Sequence, residues 1–202
     1  MPEKVVQAPV VWTATVEDLA RTEGKAELVD GRLVEMSPAG GIHGYVVGRI
    51  AFALADHERR SRRGVAFGDN VGFLVDLPRR RSFCPDAAYY DAGPIGAGFL
   101  KGAPVFAVEV RSPEDFGPRA ERSLADKRAD YFAAGTQVVW DVDPLRARII
   151  RSYVATQPDC PFEFGEGDEA HAEPALPGWR VAVRDVMPPP EPRSSLPTAS
   201  AR

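Results

Sequence analysis

Cysteine is scarce in this chain of 202 residues: Cys84 and Cys160 are the only two, and no CxxC spacing occurs. Two isolated thiols argue against a zinc ribbon, whose ligands come in close pairs, and exclude the disulfide scaffold of small secreted domains. Long apolar runs are missing as well. No stretch reaches the roughly 20 residues needed to cross a bilayer, and the first residues lack the apolar core of a signal peptide. A reducing, cytoplasmic location with no membrane partner is expected. Positive charge is not in excess, since 25 Lys and Arg stand against 29 Asp and Glu for a net charge of −4. That balance argues against coating nucleic acid by bulk charge, so any such contact must come from a local patch or a metal. No internal repeat is visible. Neither Ser37 nor Ser112 stands in a nucleophile elbow, which sets serine-hydrolase chemistry aside.

What is present is the pattern of one globular domain with a real core. Residues 1–14 read as a lead-in. Thr15 is a suitable N-cap for a short helix, with Asp18 in the capping-box position. Asp30-Gly31 between two apolar-rich runs signals a hairpin over 26–36, because a tight turn there needs positive φ. From Ile42 to Glu58 the apolar residues recur at helical spacing, and the helix ends on Arg59, Arg60, Arg62 and Arg63. Residues 65–77 read as one or two strands with bends at Gly68 and Gly72, and 82–90 as another. Residues 92–102 are an irregular connection. Pro104 to Val110 is nearly all apolar, as in a central strand covered on both faces. Pro118 opens a helix that stops at Gly135. An inner strand over 137–142 and a hairpin strand over 146–154 follow. Residues 157–175 read as an acidic surface excursion and 178–183 as a last strand or turn. The domain spans 15–187, and 188–202 is expected to be a disordered tail. The sum is an α/β fold: a mixed β-sheet flanked by α-helices.

The chemistry gathers between Pro85 and Pro144. Glu109 lies inside an otherwise apolar strand, where an ionised carboxylate is costly without a partner, so a cation is expected beside it. Asp86 sits on a separate strand and can serve as a second ligand to that cation. Two carboxylates suit Mg²⁺ (or Mn²⁺), with water and substrate phosphate completing the shell. Lys127 shares a helix face with Ser123 and Tyr131, and its ammonium can reach the attacking water or the scissile phosphate. Arg111 shares a strand face with Glu109 and can stabilise charge developing on phosphate. Each residue also has a plainer reading. Asp86 can be a strand-end acid paired with an arginine, and Lys127 a solvated helix residue. Tyr131 and Trp140 can be packing residues and Cys84 a buried thiol. The arginines that end the first long helix can be a solvated last turn.

Taken in order, Pro85-Asp86, Glu109-Val-Arg-Ser-Pro113, Lys127-x-x-x-Tyr131-x-x-x-Gly135 and Val139-Trp-Asp-Val-Asp-Pro144 resemble the Uma-two family of restriction-endonuclease-like bacterial proteins. That family belongs to the PD-(D/E)xK nuclease superfamily. The similarity runs from about Thr15 to Met187 and takes in the Glu27–Met36 segment and His43. It implies a restriction-endonuclease-like fold, a DNA substrate and Mg²⁺ or Mn²⁺ held by Asp86 and Glu109. It also implies Lys127 as the catalytic lysine, moved into the helix from its usual place two after the glutamate, with Glu27 and His43 in the site region. Ser123 departs from the acid often found four before that lysine, and Arg111 from an often aliphatic position. Arg59, Arg60, Arg62, Arg63, Arg79, Arg80 and Arg81 are candidates for backbone contacts to DNA. The alternative is a nuclease fold kept as an inactive binding or assembly module. A homodimer is expected if an inner strand such as 137–142 proves to be a free edge.

Overall fold

The computed structural model describes residues 10–189. Residues 1–9 of the lead-in expected over 1–14, and residues 190–202 of the tail expected over 188–202, lie outside the described residues. In chain order the elements are α1 (Val16–Arg21), β1 (Ala26–Val29), β2 (Arg32–Glu35), α2 (Gly41–Ser61), β3 (Val65–Phe67), β4 (Phe73–Leu74), β5 (Ser82–Phe83), β6 (Ala87–Tyr90), β7 (Leu100–Lys101), β8 (Phe106–Val110), α3 (Pro118–Ala133), β9 (Val138–Asp143), β10 (Ile149–Val154), β11 (Gln157–Phe164), β12 (Glu169–His171), β13 (Arg180–Ala182) and α4 (Val183–Val186). Six strands form the main sheet in the order β11-β10-β9-β8-β6-β3. Within this sheet only β8 and β9 run parallel, and α3 is the crossover between them.

The local signals explain most of these boundaries. Thr15 and Asp18 close a reciprocal capping box on α1. Asp30 and Gly31 take φ of 49° and 81°, as a two-residue hairpin turn demands. Pro118 stands in the first turn of α3, and Gly135 follows its end with φ of 104°.

Alternation along the central strands sorts their side chains between two cores. Phe106, Val108, Val110, Val138, Trp140 and Val142 face α2, where Val46, Ile50 and Leu54 meet them. Trp140 packs there against Trp179, with centroids 5.2 Å apart, and its indole N–H donates to Ser152 Oγ at 3.1 Å. Ala107 and Val139 face the other way, toward Phe73, Phe83 and Tyr131. Glu109 continues that second series, so its side chain projects on the α3 side of the sheet.

Three expectations are corrected. Residues 82–90 are two strands: β5 pairs with β4 in a small sheet and β6 with β3 and β8. The break falls at Pro85, which lacks an N–H for a ladder, and at Asp86, whose side chain takes over a ladder bond. Residues 157–164 are the outer strand β11, paired antiparallel with β10, and only the segment after Phe164 leaves the main sheet. An edge position tolerates Pro158 and Pro161 and needs little apolar surface, which is why the stretch reads as an excursion. Third, β9 lies inside the sheet between β8 and β10, so it cannot pair two subunits; the edges are β3 and β11.

Gly31 gives a direct test of the hairpin. A Cβ there would lie 2.1 Å from the Val11 carbonyl oxygen, on a backbone at positive φ. Gly31→Ala is expected to lower unfolding free energy by more than about 1 kcal/mol in urea melts. An unchanged midpoint would contradict the packing of this turn on the Val11–Thr13 segment.

Candidate active site

Glu109 is the pivot. Lys127 and Tyr131, one turn apart on α3, both reach it: Lys127 Nζ lies 2.8 Å from Oε2, and the Tyr131 hydroxyl donates to Oε1 at 2.7 Å. The Tyr131 ring is held by stacking on Phe83 with centroids 3.9 Å apart. Burial pushes the Glu109 carboxyl above its usual range; Lys127 opposes that, while Asp86 and Glu27 add to it. Lys127 also stands 3.0 Å from Glu27 Oε1. Burial alone would depress the ammonium, but the two carboxylates outweigh it and hold Lys127 protonated well above its ordinary range.

Asp86, just before β6, straddles Glu109 through bonds to the residues on either side of it. Its N–H donates to the Val108 carbonyl at 3.0 Å, and its Oδ2 accepts from the Val110 N–H at 2.7 Å. Its Oδ1 accepts from the Lys25 ammonium and faces His43 Nε2 at 3.3 Å. Burial would raise this carboxyl, but His43 and Lys25 outweigh it and hold it well below the usual range. His43, in the first turn of α2, bridges onward through Nδ1 to Ser112 Oγ at 3.2 Å. Its bond to Asp86 pushes the imidazole pKa up.

Glu27 closes the cluster from β1. Its carboxylate accepts from Arg80 Nη1 at 2.5 Å and from the Cys84 N–H at 2.9 Å, besides Lys127. Cys84 itself is an inert thiol, pushed up to about 12 by burial.

The structure therefore brings together Asp86, Glu109, Lys127, Glu27, His43 and Tyr131. It does not bring Arg111 to them as a phosphate contact. The five guanidinium N–H groups of Arg111 go to Asp141 at 2.6 and 2.7 Å, to Glu121 at 2.5 and 3.0 Å and to the Asp115 carbonyl at 3.3 Å. The remaining arginines are paired with acids or lie far from the centre. Arg80 is 5% exposed, pairs with Glu27 and Asp130 and lies over the Phe83 ring, so it supports the site from beneath. Arg79 pairs with Asp30, and Arg81 pairs with Asp76 and covers Trp12. Arg59 and Arg60 both pair with Asp56. Arg62 caps α2 in the left-handed region, next to Arg63. From His43 to Arg59 is 16 helical residues, roughly 24 Å at ~1.5 Å each, so this end of α2 is remote from the acids.

Sequence reasoning missed Lys25 and Asp69. Lys25 Nζ joins Asp86 to Asp69, which is 2.7 Å away. One signal was available. Lys25 and Glu27 are two apart beside an apolar strand, so they share a face. The chain also has only four lysines, Lys4, Lys25, Lys101 and Lys127, so a lysine at a strand start is distinctive among so many arginines. Asp69 lies in a loop between strands and carries no pattern.

The donor set can be tested against a hard divalent cation. Among the described residues no group of three or more His, Cys, Asp or Glu is arranged to hold a metal. A site here would rest on two carboxylates, which is what Mg²⁺ uses when water and phosphate supply the rest. A carboxylate offers about four lone-pair positions. Asp86 uses three, for Lys25, His43 and the Val110 N–H, while Glu109 uses two. Oxygen donors remain on both, so the residues fit such an ion.

These features define a class: an α/β domain with a buried centre of paired acids and lysines beside the carboxyl end of its parallel strand pair. The chain belongs to the Uma2 family, described as "Putative restriction endonuclease", whose profile matches residues 13–184. A crystal structure described as "a putative nuclease belonging to DUF820" from Anabaena variabilis superposes with a TM-score of 0.70 at 16% identity. The match covers 86% of this chain and 97% of that one and shows a shared fold. No curated protein matches the chain. No helix among the described residues is long and apolar enough to cross a membrane.

Lys127→Met tests the charge arrangement. It leaves Glu109 without its ammonium and is expected to cost about 3–5 kcal/mol in urea unfolding at pH 7. Because the folded-state pKa of Glu109 is already raised, its ionisation works against the fold as pH rises. The cost of Lys127→Met should therefore shrink as pH falls and Glu109 takes a proton. A cost independent of pH would contradict the pairing.

Proposed function

We propose that this protein is a metal-dependent endonuclease that hydrolyses DNA phosphodiester bonds, with Mg²⁺ or Mn²⁺ held by Asp86 and Glu109. The observation that supports it most is an Asp86 carboxylate bonded to the N–H of Val110, the residue after Glu109, with an ammonium fixed 2.8 Å from Glu109 itself. Membership of a family described as "Putative restriction endonuclease" agrees with it. The ion, when bound, would neutralise charge on the phosphate and lower the pKa of a coordinated water.

The chain's own residues divide the remaining work. Lys127 stays protonated between Glu109 and Glu27, so it serves as a hydrogen-bond donor to the attacking water or a phosphate oxygen and not as a general base. Tyr131 fixes the Glu109 carboxylate by donating to Oε1. Glu27, itself fixed by Arg80, holds Lys127 from behind, so its ammonium is aimed before substrate arrives. Lys25 neutralises Asp86, a charge that a cation held by Asp86 would supply instead.

Nicking of supercoiled plasmid with Mg²⁺ or Mn²⁺ tests the reading. Wild type should nick, and Glu109→Gln and Lys127→Met should each lose about 100-fold or more, the scale of one preorganised donor. Equal nicking by all three would place the activity elsewhere, and no nicking by any would favour an inactive binding module.

A further inference from the structure

The arginines nominated from sequence are paired, buried or remote, which leaves open where a polyanion would lie. A cleft of about 330 Å³ opens at the carboxyl end of the parallel strands β8 and β9, where α/β sheets usually take ligands. Phe116, Glu121, Asp143, Arg146, Arg151 and Tyr153 line it. It adjoins the acids through one loop. Ser112, at the start of that loop, touches His43, and Phe116, near its end, forms the cleft wall. Across the sheet, Glu109 pairs with Asp141 and Asp141 with Arg151, so Arg151 stands two strands from Glu109, roughly 10 Å at ~4.8 Å each.

The charges in this cleft are arranged for an anion. Its carboxylates are turned to internal partners: Glu121 to Arg111, and Asp143 to the N–H groups of Leu145, Arg146 and Ala147. Among the described residues Arg146 and the adjacent Arg128 pair with no carboxylate. Each lies on an aromatic face instead, Arg146 at 3.9 Å over Phe116 and Arg128 at 3.7 Å over Tyr153. A guanidinium laid on a ring is held in place while its N–H fork stays free for phosphate.

We propose that this cleft binds the phosphate backbone of the nucleic-acid substrate beside the scissile bond, with Arg146 and Arg128 as the contacting cations. The inference rests on the nuclease reading and adds where the substrate lies. The test is binding of a short fluorescein-labelled DNA duplex by anisotropy across a salt series, in a Glu109→Gln background so that cleavage does not intervene. Arg146→Glu should weaken binding about tenfold or more and lower the salt slope by about one or more. Arg60→Glu, at the far end of α2, should leave both unchanged. Circular dichroism should show both variants folded, and Arg128→Gln gives a second, charge-neutral probe.

Binding by Arg146→Glu and Arg128→Gln equal to the parent, or an equal loss in Arg60→Glu, would overturn the cleft. Plasmid nicking by the otherwise wild-type chain would then leave the nuclease reading standing. Failure of the parent to bind DNA, together with failure of the wild-type chain to nick it, would overturn both. Strong competition by millimolar phosphate or a mononucleotide would make the cleft a small-anion site and also overturn the proposal.

Discussion

An ionised carboxylate in the middle of an apolar sheet must be compensated, and Glu109 imposes that constraint on everything around it. Its compensation comes from α3, which is why the crossover helix lies with Lys127 and Tyr131 against β8. Lys127 needs a second acid to remain charged under burial, and Glu27 provides it. Glu27 in turn needs Arg80, and Arg80 reaches Asp130 back on α3. A parallel chain runs from Asp86 through Lys25 to Asp69. Signs alternate along both chains, so removing an inner member takes a charged partner from each of its neighbours, and removing Lys127 leaves Glu109 without its ammonium. That loss is larger than the net worth of an intact pair.

The same arrangement keeps α3 in register at both ends. Arg111 ties Glu121 to Asp141 near its start, and Arg80 ties Asp130 to Glu27 near its end. Between those ties the Lys127 ammonium has little freedom, which is what an electrostatic catalyst requires. Arg111 thus fastens the helix, with its N–H groups taken by Asp141, Glu121 and Asp115. The hairpin β1–β2 matters for a related reason, since it presents Lys25 and Glu27 to the acids from a separate sheet.

Much of this was legible in the chain. Glu109 announced itself as a lone acid in an apolar run, and Lys127 and Tyr131 by sharing a helix face. The capping box at Thr15 and the Asp30-Gly31 turn are local signals and appear where local physics puts them. What escaped depends on tertiary pairing. Arg80 sits between two arginines that face out, and nothing in the triplet marks the middle one as buried under Glu27. Strand alternation places Arg111 beside Glu109 correctly, but its role is decided by Asp141 and Glu121 from other elements. The edge strand β11 lacks an apolar face because an edge does not need one, so its composition resembles a loop.

The central claim is that Asp86 and Glu109 form one cation site despite the lysines on them. Calorimetric titration with Mn²⁺ measures this most directly. The account predicts saturable binding to the wild-type chain that is lost in both Asp86→Asn and Glu109→Gln. Binding of undiminished affinity to the Asp86→Asn, Glu109→Gln double variant would contradict it.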